Sequence, residues 1–198
     1  MSQNKTNFAV PLAFVGMMFF AIGFALGINS FLIPVLKGAL SLPSGVAYLL
    51  LAATFVPFLI FGYPASATIA KIGYKRTMAL SFLIFAVAFI LFVLSAKLEN
   101  FILFLIASFV SGAANAYLQA SVNPYITILG PIESAAKRMS IMGICNKLAW
   151  PVAPLFFALV VADQTNVQTS DLYLPFYIII GVFLLLGIIS LMAPLPEV

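Results

Sequence analysis

The sequence is poor in charged residues and has no histidine. Asp, Glu, Lys and Arg make up 7% of its 198 residues, whereas 64% are hydrophobic and the mean hydropathy is +1.20. Soluble domains carry about 25% charged residues, so this composition excludes that class and predicts an integral membrane protein. The net charge of +4 is assigned to loops at the surface of a lipid bilayer, and no nucleic-acid partner is expected.

Catalytic chemistry lacks candidate residues as well. The single cysteine, Cys145, excludes an intramolecular disulfide and a cysteine-based metal site. The sequence has no phosphate-binding glycine loop and no nucleophile elbow. We therefore expect a protein that is not an enzyme and that uses no cofactor and no metal. The acidic residues all fall in loops or at ends, so a proton relay through a buried carboxylate is not encoded here: they are Glu99, Glu133, Asp163, Asp171 and Glu197.

Long apolar runs take up most of the chain. Each is close to the roughly 20 residues that a helix needs to cross a bilayer core, and in lipid a helix satisfies its own backbone groups. The expected fold is therefore an all-α membrane protein with six transmembrane helices in a single bundle. The approximate spans are 8–36, 45–70, 77–96, 101–129, 140–162 and 172–194.

The basic residues of the loops predict the orientation. Six lie on one side of the membrane, in the N-terminal tail and in the second and fourth loops, and two lie on the other side, at Lys37 and Lys97. The side with the basic excess is cytoplasmic, so both termini are expected in the cytoplasm. The six are Lys5, Lys71, Lys75, Arg76, Lys137 and Arg138.

Polar residues inside a span are costly unless they face protein or water. The fourth span has five of them within an arc of roughly 120° at helical spacing: Ser108, Ser111, Asn115, Gln119 and Asn123. The two serines are interpreted as helix-packing residues, since Ser, Asn and Gln can also join helices through bonds worth about 0.6 to 2 kcal/mol. Three large amides on one face favour a water-accessible cavity and are candidate ligand contacts.

The first span partly repeats the fourth. Asn29 precedes Pro34 by five residues, as Gln119 precedes Pro124. An offset of about 90 residues also superposes spans one to three on spans four to six. Because an odd number of spans reverses the direction of the chain, this pattern predicts two inverted three-helix repeats.

The fifth span places two polar residues about 10 Å inside its predicted cytoplasmic end. Lys147 can reach the surface with its long stem, whereas Asn146 cannot and is assigned to the cavity. Trp150, the only tryptophan, lies one turn beyond Asn146 on the same face. It either packs in the core or offers a flat apolar surface to a ligand.

Four segments resemble the fucose permease and glucose/galactose transporter family of the major facilitator superfamily. LQASVNPYITILGPIESAAKR (118–138) followed by MGICNKLAW (142–150) carries the more specific match. GINSFLIPVLK (27–37) and GYPASATIAKIGYKR (62–76) are similar to the first span and second loop of that family. The resemblance implies uptake of a hexose or deoxyhexose across the bacterial inner membrane by alternating access, often coupled to a proton.

Departures from the family pattern indicate the branch. Fucose-type members have carboxylates where this sequence has Ser30 and Gln119, and a glutamine where it has Gly143, while Asn146 matches. The glutamine at position 119 is similar to the glucose/galactose branch, so those sugars are preferred over fucose. Six residues are expected to contact the sugar: Asn29, Asn115, Gln119, Asn123, Asn146 and Trp150. Five loop residues are expected to control the gate, or simply to set topology: Lys71, Lys75, Arg76, Glu133 and Arg138.

Members of that family have twelve spans. The resemblance therefore implies that this chain is an N-terminal half whose partner is a C-terminal six-helix half, with the sugar bound between them at the bilayer midplane. Two alternatives remain open: a complete six-span protein that dimerises as a transporter or channel, and a membrane scaffold in which the amides only join helices.

Overall fold

The computed structural model describes residues 9–161, 163, 165–193 and 195, and nearly all of them are helical. The helices are α1 (Ala9–Ala39), α2 (Ser44–Ala47), α3 (Leu49–Ile60), α4 (Gly62–Lys97), α5 (Phe101–Ile128), α6 (Ala135–Val160) and α7 (Tyr173–Met192), with single 3-10 turns at Ile132–Ser134 and Thr169–Leu172. Lys5, Glu197 and the predicted span ends at 8, 162 and 194 lie outside the described residues.

Five helical stretches in the described part of the chain are long and apolar enough to cross a membrane: Ala9–Ala39, Ser44–Lys97, Phe101–Ile128, Ile132–Val160 and Thr169–Met192. The second has 54 residues, which at 1.5 Å per residue exceeds twice the roughly 30 Å of a bilayer core. Gly73 interrupts it with φ 84° and ψ 170°, a conformation that favours glycine. The predicted spans 45–70 and 77–96 fall on either side of this break.

A second interruption divides the first part of that stretch. α3 ends at Ile60 and α4 begins at Gly62, close to Pro64, which has no N–H to donate to the carbonyl one turn earlier. The sequence prediction treated this region as one uninterrupted helix. The structure instead has the short α2 and then α3 and α4, with Tyr48 between the first two and Phe61 between the last two.

The connection between α5 and α6 also differs from the prediction. Gly130 has φ 121° and ends the turn after α5. Pro131 then precedes a 3-10 turn that leads directly into α6 at Ala135, five residues before the predicted start of the fifth span. The segment containing Glu133 and Lys137, which the predicted spans left in a loop, is therefore the 3-10 turn before α6 and the beginning of α6.

Helix packing follows the expected repeat. α1 packs on α6, α3 packs on α5, and α1 also contacts α5, while α4 packs on α7 and α5. The first and fifth spans are α1 and α6, and the fourth and second spans are α5 and α3. When the first three spans are exchanged with the last three, the α1/α6 pair takes the place of the α5/α3 pair. The helices α1, α5 and α6 carry all six candidate sugar contacts.

Phenylalanine rings fill the interface between α4 and α7. The ring centroids of Phe85 and Phe183 are 4.8 Å apart, and those of Phe92 and Phe176 are 5.4 Å apart. Such ring pairs add packing energy beyond the burial of their area. At the end of α4, the Lys97 ammonium lies 5.9 Å from the Tyr173 ring centroid. Phenylalanine packing therefore dominates this interface, and none of the six candidate sugar contacts lies on α4 or α7.

Candidate functional site

The polar face of α5 changes from buried to accessible along the helix. Ser108, Ser111 and Asn115 are fully buried. Gln119 and Asn123, one and two turns further on, are partly exposed. The water-accessible position expected for Asn115 is therefore not found in this structure, whereas Gln119 and Asn123 form an accessible pair of amides.

Asn29 joins the buried end of this face to α1. Its amide nitrogen Nδ2 donates to the carbonyl oxygen of Ala25 at 3.0 Å and to the hydroxyl oxygen of Ser111 at 3.4 Å. Ser111 is thus a packing residue between helices, as its sequence context predicted. Asn29 is also fully buried, so it lies behind the accessible amides rather than among them.

Several buried polar atoms next to this contact have no hydrogen-bond partner among the residues that the structure describes. They are Oδ1 of Asn29, Oγ of Ser108, and both Oδ1 and Nδ2 of Asn115. A buried polar atom left unpaired costs about 1 to 3 kcal/mol. Asn115 makes no hydrogen bond to the protein, so interhelical glue does not explain its presence.

On α6, Asn146 is partly exposed and its Nδ2 donates to the carbonyl oxygen of Phe19 at 3.1 Å. One of its donors thus holds α6 against α1. Trp150 is also partly exposed, and its indole Nε1 is buried without a partner. The Lys147 Nζ lies 5.2 Å from the Trp150 ring centroid, so part of one ring face is already occupied by a cation.

The backbones of α1 and α6 approach each other closely near Trp150. A Cβ placed on Gly27 would lie 2.6 Å from the carbonyl oxygen of Trp150 and 3.0 Å from the Cβ of Ala153. Only glycine fits there without displacing α6. The backbone that carries Trp150 is therefore held directly against α1.

A groove of about 840 Å³ runs between α1, α6 and α7. Its walls are apolar, with side chains such as Met17, Phe20 and Ile179, and Arg138 is its only charged lining residue. None of the six candidate sugar contacts lines it. A hexose needs hydrogen-bonding partners, so the groove is not the candidate site.

The five candidate gate residues have different environments. Lys71, Arg76 and Glu133 are exposed, and Lys75 is partly exposed. Arg138 is instead buried within α6, 7% exposed. Within the described part of the chain, none of the five is paired with an opposite charge. Elsewhere, in the segment after α6, hydrogen bonds from the Thr165 side chain and backbone lower the pKa of Asp163.

Arg138 caps the C-terminal end of α5. Its guanidinium donates to the carbonyl oxygens of Ile126 at 3.1 Å, Thr127 at 3.0 Å and Pro131 at 2.9 Å, and also to the hydroxyl of Ser134. The last carbonyls of a helix lack partners within the helix and attract positive charge. Sequence reasoning assigned Arg138 to a loop; its spacing after Gly130 and Pro131 was the signal that it could reach back to α5.

The comparisons with known proteins agree with this architecture. A family model described as Major Facilitator Superfamily matches residues 14–198. The glucose/galactose transporter of Brucella abortus is 31% identical over 202 residues, which cover 100% of this chain and 49% of the relative. The L-fucose-proton symporter of Escherichia coli is 26% identical, over 85% of this chain and 38% of the relative.

A solved structure has the same helical arrangement. The crystal structure of the transporter FucP in the outward conformation matches with a TM-score of 0.79 and 23% identity, over 96% of this chain and 50% of that chain. The chain spans about half the length, or less, of the curated relatives it matches.

Proposed function

The chain belongs to the Major Facilitator Superfamily, and from this we propose that it is the N-terminal half of a monosaccharide transporter that works by alternating access. Three observations support the proposal. The named relatives transport sugars, and this chain aligns with about half of the first of them. The α1/α6 and α3/α5 helix pairs correspond to each other when the first three spans are exchanged with the last three. The amide side chains of the described helices all lie on α1, α5 and α6.

The proposed position of the sugar site depends mainly on the accessible amides Gln119 and Asn123. An amide offers both donors and acceptors, which suits a polyol, and a neutral sugar needs no charged site. Asn115 lies one turn behind Gln119 with all its hydrogen-bonding capacity unused. Asn146 and Trp150, which are partly exposed, complete the proposed site from α6, whereas the buried Asn29 supports it from behind through its hydrogen bond to Ser111. At about 0.5 to 1.5 kcal/mol per bond, these contacts give the modest affinity that a carrier needs for release.

The preferred substrates are glucose and galactose. The Brucella abortus glucose/galactose transporter is more similar to this chain, at 31% identity, than the Escherichia coli L-fucose-proton symporter, at 26%. The uncharged Ser30 and Gln119 stand where the fucose branch is expected to have carboxylates. Without an acidic residue inside any described long helix, coupling to a cation would depend on groups of the complementary half.

The proposed location is the bacterial inner membrane, with both termini in the cytoplasm. The basic residues around Gly73 and at the start of α6 support that orientation. On this placement, Lys71, Lys75, Arg76 and Glu133 lie at the cytoplasmic gate. Arg138 lies beside them and joins α5 to the start of α6.

Sugar binding to the chain itself tests the site. Trp150 is the only tryptophan, so its fluorescence reports on the proposed cavity. We expect galactose and glucose to change the Trp150 emission, and Gln119→Ala to abolish or strongly weaken that response. Asn166→Ala, a change at an exposed amide outside the helices, is the matched control and should have no effect. An unchanged response in Gln119→Ala would contradict the proposed site.

Two further measurements separate the alternatives. Cross-linking in the native membrane distinguishes a homodimer of six-span chains from a twelve-span carrier by the mass of the product. Uptake of radiolabelled hexose distinguishes either transporter from a scaffold, in which the amides bind no sugar. A scaffold would show neither uptake nor a sugar-dependent change in fluorescence.

A further inference from the structure

Lys147 lies in the middle of α6. It is twelve residues after Ala135 and thirteen before Val160, or about 18 Å from one end of the helix and 20 Å from the other. The sequence prediction placed it only about 10 Å inside, because it started the fifth span at residue 140. A lysine stem of four carbons spans only part of the distance to either end of α6, so the Lys147 ammonium does not reach an end of the helix.

The side chain lies on the flank of α6 that faces away from the apolar groove. Ile141, Cys145 and Leu148 line that groove, and at 100° per residue they lie about 100° to 160° around the helix from Lys147. Lys147 is exposed. Its flank is the one that leads to Trp150, and hence to the proposed sugar site.

Trp150 keeps the ammonium in this position. The distance of 5.2 Å from Nζ to the ring centroid is within the range of a cation–π contact. That contact positions a charge but does not neutralise it. A lysine that only needed to escape the membrane would extend away from the ring towards water.

The described helices contain no group that neutralises this charge. Their acidic residues are at or beyond helix ends, at Glu99, Glu133, Asp163 and Asp171, and none is paired with Lys147. Charged residues at this depth normally pair with an opposite charge or face a water-filled cavity. In alternating access the cavity closes during each cycle and removes that water, so the cation then needs an anion.

We propose that Lys147 forms an ion pair with a carboxylate of the complementary six-helix half, across the cavity from α6. This inference depends on the proposed function, because it requires a twelve-span carrier. Lipid phosphates lie near the membrane surface, about 15 Å from the middle of the bilayer core, and a neutral hexose has no charge to offer. A homodimer of this chain would supply a second Lys147 but no spanning carboxylate.

Carbodiimide cross-linking of the protein expressed from its own gene tests the pair. A membrane-permeant carbodiimide activates a carboxylate, the Lys147 amine displaces the urea, and an amide joins the two side chains. Peptide mass spectrometry should find Lys147 linked to an acidic residue outside residues 1–198. Lys147→Arg should remove that product. Lys137, an exposed lysine at the start of the same helix, is the internal control and should not link to the same residue.

Transport gives a second readout. Lys147→Met should lower hexose uptake at least tenfold, and neutralising the cross-linked acid in the same protein should restore part of it. Galactose binding, measured by equilibrium dialysis, should persist in Lys147→Met, which shows that the variant folds. Absence of galactose binding in the unmodified protein would contradict the proposed function and not the pair.

Three results would overturn the pair. The first is an absence of cross-links from Lys147 to any residue beyond 198. The second is unchanged uptake in Lys147→Met. The third is Lys147-dependent binding of galacturonate at least tenfold tighter than that of galactose. Galacturonate differs from galactose by a carboxylate at C6, so this result would identify the transported sugar itself as the anion that pairs with Lys147.

Discussion

Gly23 on α1 lies directly against the backbone of Asn146 on α6: a Cβ added to Gly23 would overlap the Asn146 carbonyl oxygen. A matching contact joins α5 to α3. A Cβ on Gly112 of α5 would overlap the carbonyl oxygen of Thr54 on α3. Gly112 follows Gly23 by 89 residues, and Asn146 follows Thr54 by 92. The two contacts thus use the same glycine-to-carbonyl approach, and each joins the first span of one repeat to the second span of the other.

We expect Gly23→Ala to destabilise the bundle by about 1 to 3 kcal/mol, because the new methyl group must displace backbone rather than a flexible side chain. Small residues are what allow helices in lipid to approach so closely. The measurement is thermal or denaturant unfolding of the purified chain in detergent. Gly181→Ala is the control, since a Cβ there meets nothing within 4 Å; equal losses in the two variants would show that the contact is not tight.

Gly112→Ala should cause a loss of the same size as Gly23→Ala, because both put a Cβ onto a carbonyl oxygen and within 3.0 Å of a further carbon atom. The two changes lie in different helix pairs, so the double variant should lose the sum of the two free energies. A loss confined to one of the two sites would show that the two repeats are packed differently.

The sequence was sufficient for the all-helical membrane fold but not for the depth of the polar residues. Continuous apolar runs predicted the helices, and Gly73 divides the longest stretch between the two spans predicted there. The hydrogen bond from Asn29 to Ser111 joins residues 82 positions apart, and its existence depends on how α1 crosses α5. Periodicity placed Asn115 and Gln119 on one face, but only the packing of α1 and α3 against α5 decides that the first is buried and the second accessible.

Arg138→Lys should not preserve the function of the arginine. The guanidinium donates to three carbonyl oxygens and one hydroxyl, whereas an ammonium is a compact charge that cannot span the same acceptors. We expect a loss of about 1 to 3 kcal/mol, since buried carbonyls are left unpaired. Unfolding measurements will give the loss, and hydrogen exchange should increase first at the end of α5, from Tyr125 to Leu129.

Lys137→Gln is the matched control for that change. Lys137 precedes Arg138 in the chain but is exposed and forms no ion pair within the described residues, so its replacement should change stability by less than about 0.5 kcal/mol. A similar loss in both variants would indicate a general charge effect rather than the specific bonds to the end of α5.

Asn115 distinguishes a ligand contact from a packing residue. Neither its Oδ1 nor its Nδ2 has a partner among the described residues, so Asn115→Leu removes no hydrogen bond seen between these helices. It replaces an unpaired polar group by an apolar one of similar shape, which is neutral or stabilising. We expect unfolding measurements to show unchanged or higher stability, by up to about 1 kcal/mol, together with a weaker response of Trp150 fluorescence to galactose.

Ser111→Ala should show the opposite combination. It removes the partner of Asn29, so a small loss of stability is expected, of about 0.6 kcal/mol for an interhelical bond in a membrane protein. Sugar binding should be retained, because Ser111 is buried behind the accessible amides. If Asn115→Leu destabilised the bundle and left the galactose response intact, Asn115 would be a packing residue. The sugar site would then reduce to the exposed end of α5 and the residues of α6.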